Sequence, residues 1–224
     1  MKLLSKNLQG FDDVQVGKRE DIPIEKGAVL GEEFFEKNQD LVEKYCNFFT
    51  AYPDLFLDLI KPVDSSFSFF FYQRIVLRAL MRYKIVYISA CRAFSKSFLT
   101  ILALFLQCVF MPGTKRFICA PYKNQGAQIA KEKLTEIFRL FPLLRREVIG
   151  GSVAEVPGNY GKDYVTLRFR NGSEFTVVGA ADSTRGGRRH GGLLDELRDH
   201  DEKDITEIVL PLMNVSRRLP DNTV

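Results

Sequence analysis

The chain is short of histidine, of paired cysteines and of long apolar runs, and each shortage removes a class of function. Its 224 residues include two histidines, His190 and His200, and four cysteines, Cys46, Cys91, Cys108 and Cys119. No two cysteines form a C-x-x-C pair and neither histidine is near one in sequence, so a zinc site has almost no basis. The cysteines lie in apolar or strand-like stretches and read as small core residues in a reducing compartment, not as disulfide partners. The apolar run from Phe98 to Phe110 is 13 residues, interrupted by Thr100 and Gln107. That is too short to span a bilayer, so it reads as a buried helix and no membrane is expected. The N-terminus lacks a charged start leading into an apolar core, which argues against a secretory signal and for a cytosolic chain.

What is present fits a globular α/β protein. Hydrophobic residues make up 46% and charged residues 27%, and the length suits one sizeable domain with at most a small appendage. The net charge of +4 hides an asymmetry. Residues 1–64 hold 8 Lys/Arg against 13 Asp/Glu, a net of −5, and residues 65–224 hold 24 against 15, a net of +9. A basic core suits a polyanion bound through its phosphates, without base reading.

Residues 1–28 are charged and without period and read as an extended arm or a poorly ordered end. From Gly31 to about Leu59, Phe34, Phe35, Leu41, Val42, Tyr45, Phe48 and Phe49 predict one or two amphipathic helices. After a break over residues 61–68, Tyr72, Ile75, Val76, Ala79 and Leu80 place a helix from Phe69 to Tyr83. Strand and helix then alternate as in a mostly parallel sheet flanked by helices. A buried strand is predicted from Lys84 to Ala90, a helix from Lys96 to Met111 stopped by Pro112-Gly113, a strand from Arg116 to Ala120, and a helix from Tyr122 to Phe141. In that last helix Ile129, Leu134, Ile137 and Phe138 face inward. Residues 145–163 form an excursion. Asn171-Gly172 predicts a tight two-residue turn between strands at Tyr164–Arg170 and Ser173–Gly179. An apolar strand ending in Asp195-Glu196 and a helix near Asp204–Met213 complete the pattern.

Two motifs carry chemistry. Residues 87–98, Tyr-Ile-Ser-Ala-Cys-Arg-Ala-Phe-Ser-Lys-Ser-Phe, read as a strand, a tight loop and a helix start. They match a phosphate-binding loop, G-x-x-x-x-G-K-[ST], in which Ala90 and Ser95 replace both glycines while Lys96 and Ser97 remain. Such a loop turns successive N–H groups toward an anion, with the lysine on the β/γ-phosphates and the hydroxyl on Mg²⁺. Far downstream, Gly191-Gly192-Leu193-Leu194 ends in Asp195 and Glu196. At the ligand-binding edge of a parallel sheet, Asp195 is placed to hold the Mg²⁺ shell and Glu196 to orient and deprotonate an attacking water. Either motif alone is common. The two in this order point to an ATP site.

Taken together, residues 65–218 resemble the ATPase domain of the large terminase subunit, the DNA-packaging motor of tailed bacteriophages. The resemblance rests on Phe71-Tyr72-Gln73 upstream of the loop, on Arg92 early within it, on Phe117 to Tyr122 with Gln125 and Gln128, and on the run from Asp182 to Gly192. It implies a P-loop NTPase of the RecA-like (ASCE) class over residues 65–224, preceded by an N-terminal arm and helical segment over 1–64. It further implies that Gln73 reads adenine and that Arg92, Ala93, Phe94, Ser95, Lys96 and Ser97 cradle ATP. Ser97 and Asp195 would hold Mg²⁺, Glu196 would activate water, and Arg92 with one of Arg185, Arg188 and Arg189 would offset charge on the γ-phosphate. The implied partners are double-stranded DNA, the capsid portal protein, the small terminase subunit and sister copies in a pentameric ring, in the host cytoplasm. The family's later coupling strand and nuclease domain are not visible before Val224, so DNA cutting is not expected. A helicase-like translocase and a non-hydrolysing DNA-binding or assembly module remain the alternatives.

Overall fold

The structure, a computed structural model, describes residues 37–91, 93–150, 158–179 and 188–213. The chain divides into two compact units, Met1–Glu43 and Lys44–Val224. In the first, described residues 37–43 include the start of helix α1 (Gln39–Ala51), and the expected arm over residues 1–28 lies outside them.

The second unit continues α1 and adds α2 (Pro53–Ile60), α3 (Phe71–Arg82), α4 (Lys96–Phe110), β1 (Lys115–Ala120), α5 (Lys123–Leu140), β2 (Asn159–Tyr160), β3 (Val165–Arg168), β4 (Glu174–Gly179) and β5 (Gly191–Leu194). A helical segment then runs from Glu202–Asp204 through a π turn at Ile205–Val209 to Leu210–Leu212. The sheet order is β2-β3-β4-β1-β5. Strand β1 lies parallel to β4 and to β5, and β3 joins antiparallel to β4 and β2. The result is a mixed α/β sheet flanked by helices.

Helix α4 is apolar almost all round because it is covered almost all round. Leu99, Ile101, Leu102, Phe105, Leu106 and Cys108 are fully buried. It packs on β1, β4 and β5, beside α5, and under α3, with Phe105 edge-on to Phe138 of α5 at 5.5 Å. The period of two in β1 divides its side chains between the faces. Ile118 joins the large core with α4 and α5, whereas Phe117 and Cys119 pack against Val209 and Met213 of the terminal helical segment. In α5, Leu134, Ile137 and Phe138 are fully buried as the sequence predicts, and Ile129 packs against the same core.

Two expectations need correction. The strand predicted from Lys84 to Ala90 is not formed: it joins none of the described ladders, and Ile85 and Tyr87 stand 86% and 77% exposed. Ile-Val-Tyr-Ile has strand composition, but β-propensity measures fit to a paired surface, and no described strand pairs with it. The β3–β4 turn spans three residues, not two. Phe169 N–H donates to the Ser173 carbonyl and Gly172 N–H to the Phe169 carbonyl, with Gly172 at φ 79°, the three-residue hairpin that ends in a left-handed glycine.

Candidate active site

Helix α4 brings the phosphate-loop motif to the end of the sheet where Asp195-Glu196 lies. Its C-terminal end is tied to the start of β1 by residues 111–114 and to the β3–β4 hairpin through Asn171. The Asn171 side-chain amide donates to the Cys108 and Val109 carbonyls at 2.8 and 2.9 Å. The helix therefore runs back over the sheet by about 22 Å at 1.5 Å per residue, matching the rise of the six-residue β1 at about 3.3 Å each. Its N-terminus at Lys96 thus lies over the C-terminal ends of β1, β4 and β5. Helix α5 also starts at that edge, two residues beyond β1. The topology gathers the loop and the acidic pair at one sheet edge.

At one of the two replaced glycine positions, Ser95, the loop keeps the left-handed backbone a glycine would have supplied; Ala90 does not, and Ala93 adopts it instead. Among the described residues the non-glycine positions with positive φ are Ala93 at 65°, Ser95 at 62° and Glu196 at 50°. All three belong to this site. Left-handed backbone costs an L-residue about 1–2 kcal/mol, and strain of this kind concentrates at ligand clamps and active sites. Helix α4 has no side-chain cap, and the N–H groups of Lys96, Ser97 and Phe98 bond to no described residue. Those donors, with the positive end of the helix, suit an anion. The Lys96 ammonium folds into the loop, donating to the Ala90 carbonyl at 2.5 Å and the Cys91 carbonyl at 3.3 Å.

The acidic end of β5 is held from several sides. Asp195 N–H donates to the Cys119 carbonyl at 2.9 Å, and Glu196 N–H donates to Asp195 Oδ1 at 3.2 Å. The His200 ring lies 2.9 Å, through Nε2, from the Asp195 carbonyl. At the other end of β5, His190 Nδ1 accepts from the Lys115 N–H at 3.0 Å and Arg116 Nη1 donates to the His190 carbonyl at 3.0 Å. Gly192 leaves no room for a side chain: a Cβ there would come within 2.6 Å of the Phe117 ring and of its carbonyl oxygen. Glu196 is exposed and Asp195 half-buried.

The remaining candidates fall in different places. Gln73, 7% exposed, accepts from the Phe70 N–H through Oε1 at 2.9 Å and donates through Nε2 to Ser95 Oγ at 3.3 Å. Phe94 packs on Tyr72 of α3 at 4.5 Å between ring centroids. Arg188 is exposed; Arg189 is half-buried, with its N–H on the Leu212 carbonyl and Nη1 on the Arg188 carbonyl at 3.4 Å. Arg92 and Arg185 lie outside the described residues. Sequence reasoning missed the braces at His200, His190, Arg116 and Asn171. Only Asn171 had a signal, its turn dipeptide, and that signal predicts a turn rather than a helix anchor.

A mixed α/β sheet with an uncapped helix start and an acidic strand end at one edge is the class of architecture that this chain presents. No family model matches it, and no curated protein does. Among solved structures it is similar to the large terminase ATPase domain of Thermus phage P74-26. The TM-score is 0.44 at 22% identity, over 62% of this chain and 59% of that one. The chain thus spans less than two thirds of that neighbour's length.

Proposed function

We propose that the chain is a P-loop ATPase domain of the DNA-packaging terminase type, coupling hydrolysis of ATP to movement of double-stranded DNA. The observation that supports this most is the left-handed non-glycine backbone at Ala93 and Ser95 of the loop and at Glu196 after β5, two segments that the short α4–β1 connection directs to one end of the sheet. The N–H groups of Lys96, Ser97 and Phe98, which bond to no described residue, and the Lys96 ammonium are donors that fit a triphosphate. The Ser97 hydroxyl and the Asp195 carboxylate are hard oxygen ligands that fit Mg²⁺. When bound, the ion would supply charge neutralisation on the β- and γ-phosphate oxygens.

The chain's own part is positional. Lys96 leaves its loop carbonyls for the phosphates. Glu196 takes the proton of the attacking water as the oxygen bonds to the γ-phosphorus and the bond to the β–γ bridging oxygen breaks, giving ADP and phosphate. Arg92 and an arginine of the run from Arg185 to Arg189 offset the charge of the leaving group, the latter across a ring of sister copies. The adjoining basic sequence grips DNA through phosphates, so affinity is sequence-independent and falls steeply with salt. Portal and small-subunit partners belong to the same reading.

The test is ATP hydrolysis with Mg²⁺ at high protein concentration, with and without duplex DNA. Lys96→Ala and Glu196→Gln should each lower turnover by about 10²-fold or more, the range typical of a lost charge-stabilising donor at Lys96 and of a lost general base at Glu196. Turnover that survives Lys96→Ala defeats the reading. One observation favours the non-hydrolysing DNA-binding or assembly module: two of the three Lys96 ammonium donors are taken by the Ala90 and Cys91 carbonyls. DNA binding that is unchanged in Lys96→Ala, with no hydrolysis by the unaltered chain, would select it.

A further inference from the structure

Both ends of the Gln73 carboxamide are engaged by the protein itself. Its oxygen accepts the Phe70 N–H at the start of α3, and its nitrogen reaches Ser95 Oγ on the phosphate loop. The Gln73 N–H in turn bonds the Phe70 carbonyl at 3.0 Å, and the residue is buried. A carboxamide that reads adenine must present both ends to the base edge. At Gln73 each end already holds a partner in the protein, so reading a base would mean sharing both ends.

We propose that Gln73 is a positioning residue for the phosphate loop: it latches Ser95 in left-handed backbone through Oγ and does not read the nucleobase. Ser95 stands where the motif has glycine, and glycine would adopt φ 62° without strain. Serine adopts it at a cost, and its hydroxyl supplies a hydrogen bond that glycine could not. The latch joins α3 to the loop directly beside the Tyr72–Phe94 ring contact, so two adjacent contacts hold the loop against one helix. With the base unread by Gln73, selection falls to the triphosphate, and ATP and GTP are expected to bind alike. This specificity rests on the nucleotide-site reading above; the latch itself does not.

The experiment uses the full chain and two readouts. Amide hydrogen exchange without nucleotide is followed over residues 93–98 in the unaltered chain, Gln73→Met, Ser95→Ala and the double variant. Each single variant should speed exchange there by about fivefold, the factor of an average net hydrogen bond. The double variant should be no faster than the quicker single one, while exchange in β1 and β4 stays unchanged. Because Ser95→Ala leaves α3 untouched, a folding defect in Gln73→Met does not decide the outcome. Gln73→Glu keeps an acceptor for the Phe70 N–H and can accept from the Ser95 hydroxyl, so it should restore slow exchange.

The second readout is affinity for ATP, GTP and inorganic tripolyphosphate with Mg²⁺. Ser95→Ala and Gln73→Met should weaken all three by the same factor. Loss confined to ATP overturns the proposal and makes Gln73 a base reader. Additive exchange effects, or none, overturn it as well. If the unaltered chain binds none of the three, the nucleotide-site reading fails while the exchange result still decides the latch.

Discussion

Asp54 should carry a measurable share of the stability, and the structure sets the amount. Its side chain is fully buried between α2 and α3. Arg78 grips it with two bonds, Nε to Oδ1 at 2.7 Å and Nη2 to Oδ2 at 2.8 Å, and Arg74 adds Nη1 to Oδ2 at 3.0 Å. Arg74 also holds Asp58 at 2.6 Å. Removing one partner of a buried ion pair costs about 3–5 kcal/mol when the other is left dry. Both arginines here reach solvent, with side chains 24% and 36% exposed, so water takes over part of the loss. Asp54→Ala should cost about 2–3 kcal/mol, scaled down from that range, and lower Tm by about 5–10 °C for a domain of this size. Asp58→Ala, at a half-exposed site, should cost under about 1 kcal/mol.

The same network makes a pH prediction. Burial, the largest influence on the Asp54 carboxyl, raises its pKa, but the hydrogen bonds from Arg78 and then Arg74 outweigh it and hold the group below its ordinary value. A carboxyl lowered on folding stabilises fully above its unfolded pKa, about 3.9, and that contribution is lost as pH falls through the folded value. Urea titrations should therefore show the gap between the unaltered chain and Asp54→Asn constant above about pH 5 and closing below about pH 4. A gap that stays constant to pH 3, or an Asp54→Ala loss within about 0.5 kcal/mol of zero, the scatter of ordinary surface changes, would refute the reasoning.

Other outcomes follow from the same packing. Gly192→Ala should destabilise by about 2 kcal/mol or more, within the overpacking range, because the Phe117 carbonyl it meets is backbone; a urea midpoint equal to that of the unaltered chain would refute this. Alkylation at pH 8 should label exposed Cys46 and Cys91 quickly and spare buried Cys108 and Cys119. Burial pushes the Cys108 thiol up to about 12, so mass spectrometry should find it unmodified until urea is added. Asn171→Ala should cost about 1–3 kcal/mol by orphaning two partly buried carbonyls, read as a lowered Tm.

Helices α3, α4 and α5 were legible because apolar spacing and the Pro112-Gly113 stop are local signals, and the β1 and β5 strands because short apolar runs lie between turn residues. Residues 84–90 were not, since Ile85 to Ile88 declare a preference for strand but cannot declare a partner. The acidic pair and the lysine were legible as residue types. Their convergence on one edge followed from topology, since a helix tied to β1 by a short turn must run back along it. The Gln73–Ser95 contact was not legible, because it joins positions 22 apart through a serine where glycine was expected. His200 gave no signal, as its bond goes to a backbone carbonyl that any residue could present.

The three left-handed non-glycine residues among those described, Ala93, Ser95 and Glu196, set a trap for protein engineering. A campaign that ranks substitutions by folding free energy alone would place glycine high at each, since glycine relieves the backbone at no steric cost. At position 196 the gain would delete the carboxylate, and at position 95 the hydroxyl that meets Gln73. Thermal tolerance and activity are thus set against each other at these positions. A thermostabilised version of this chain is best sought in α2, α3 and the hairpin, with the strained edge left as it is.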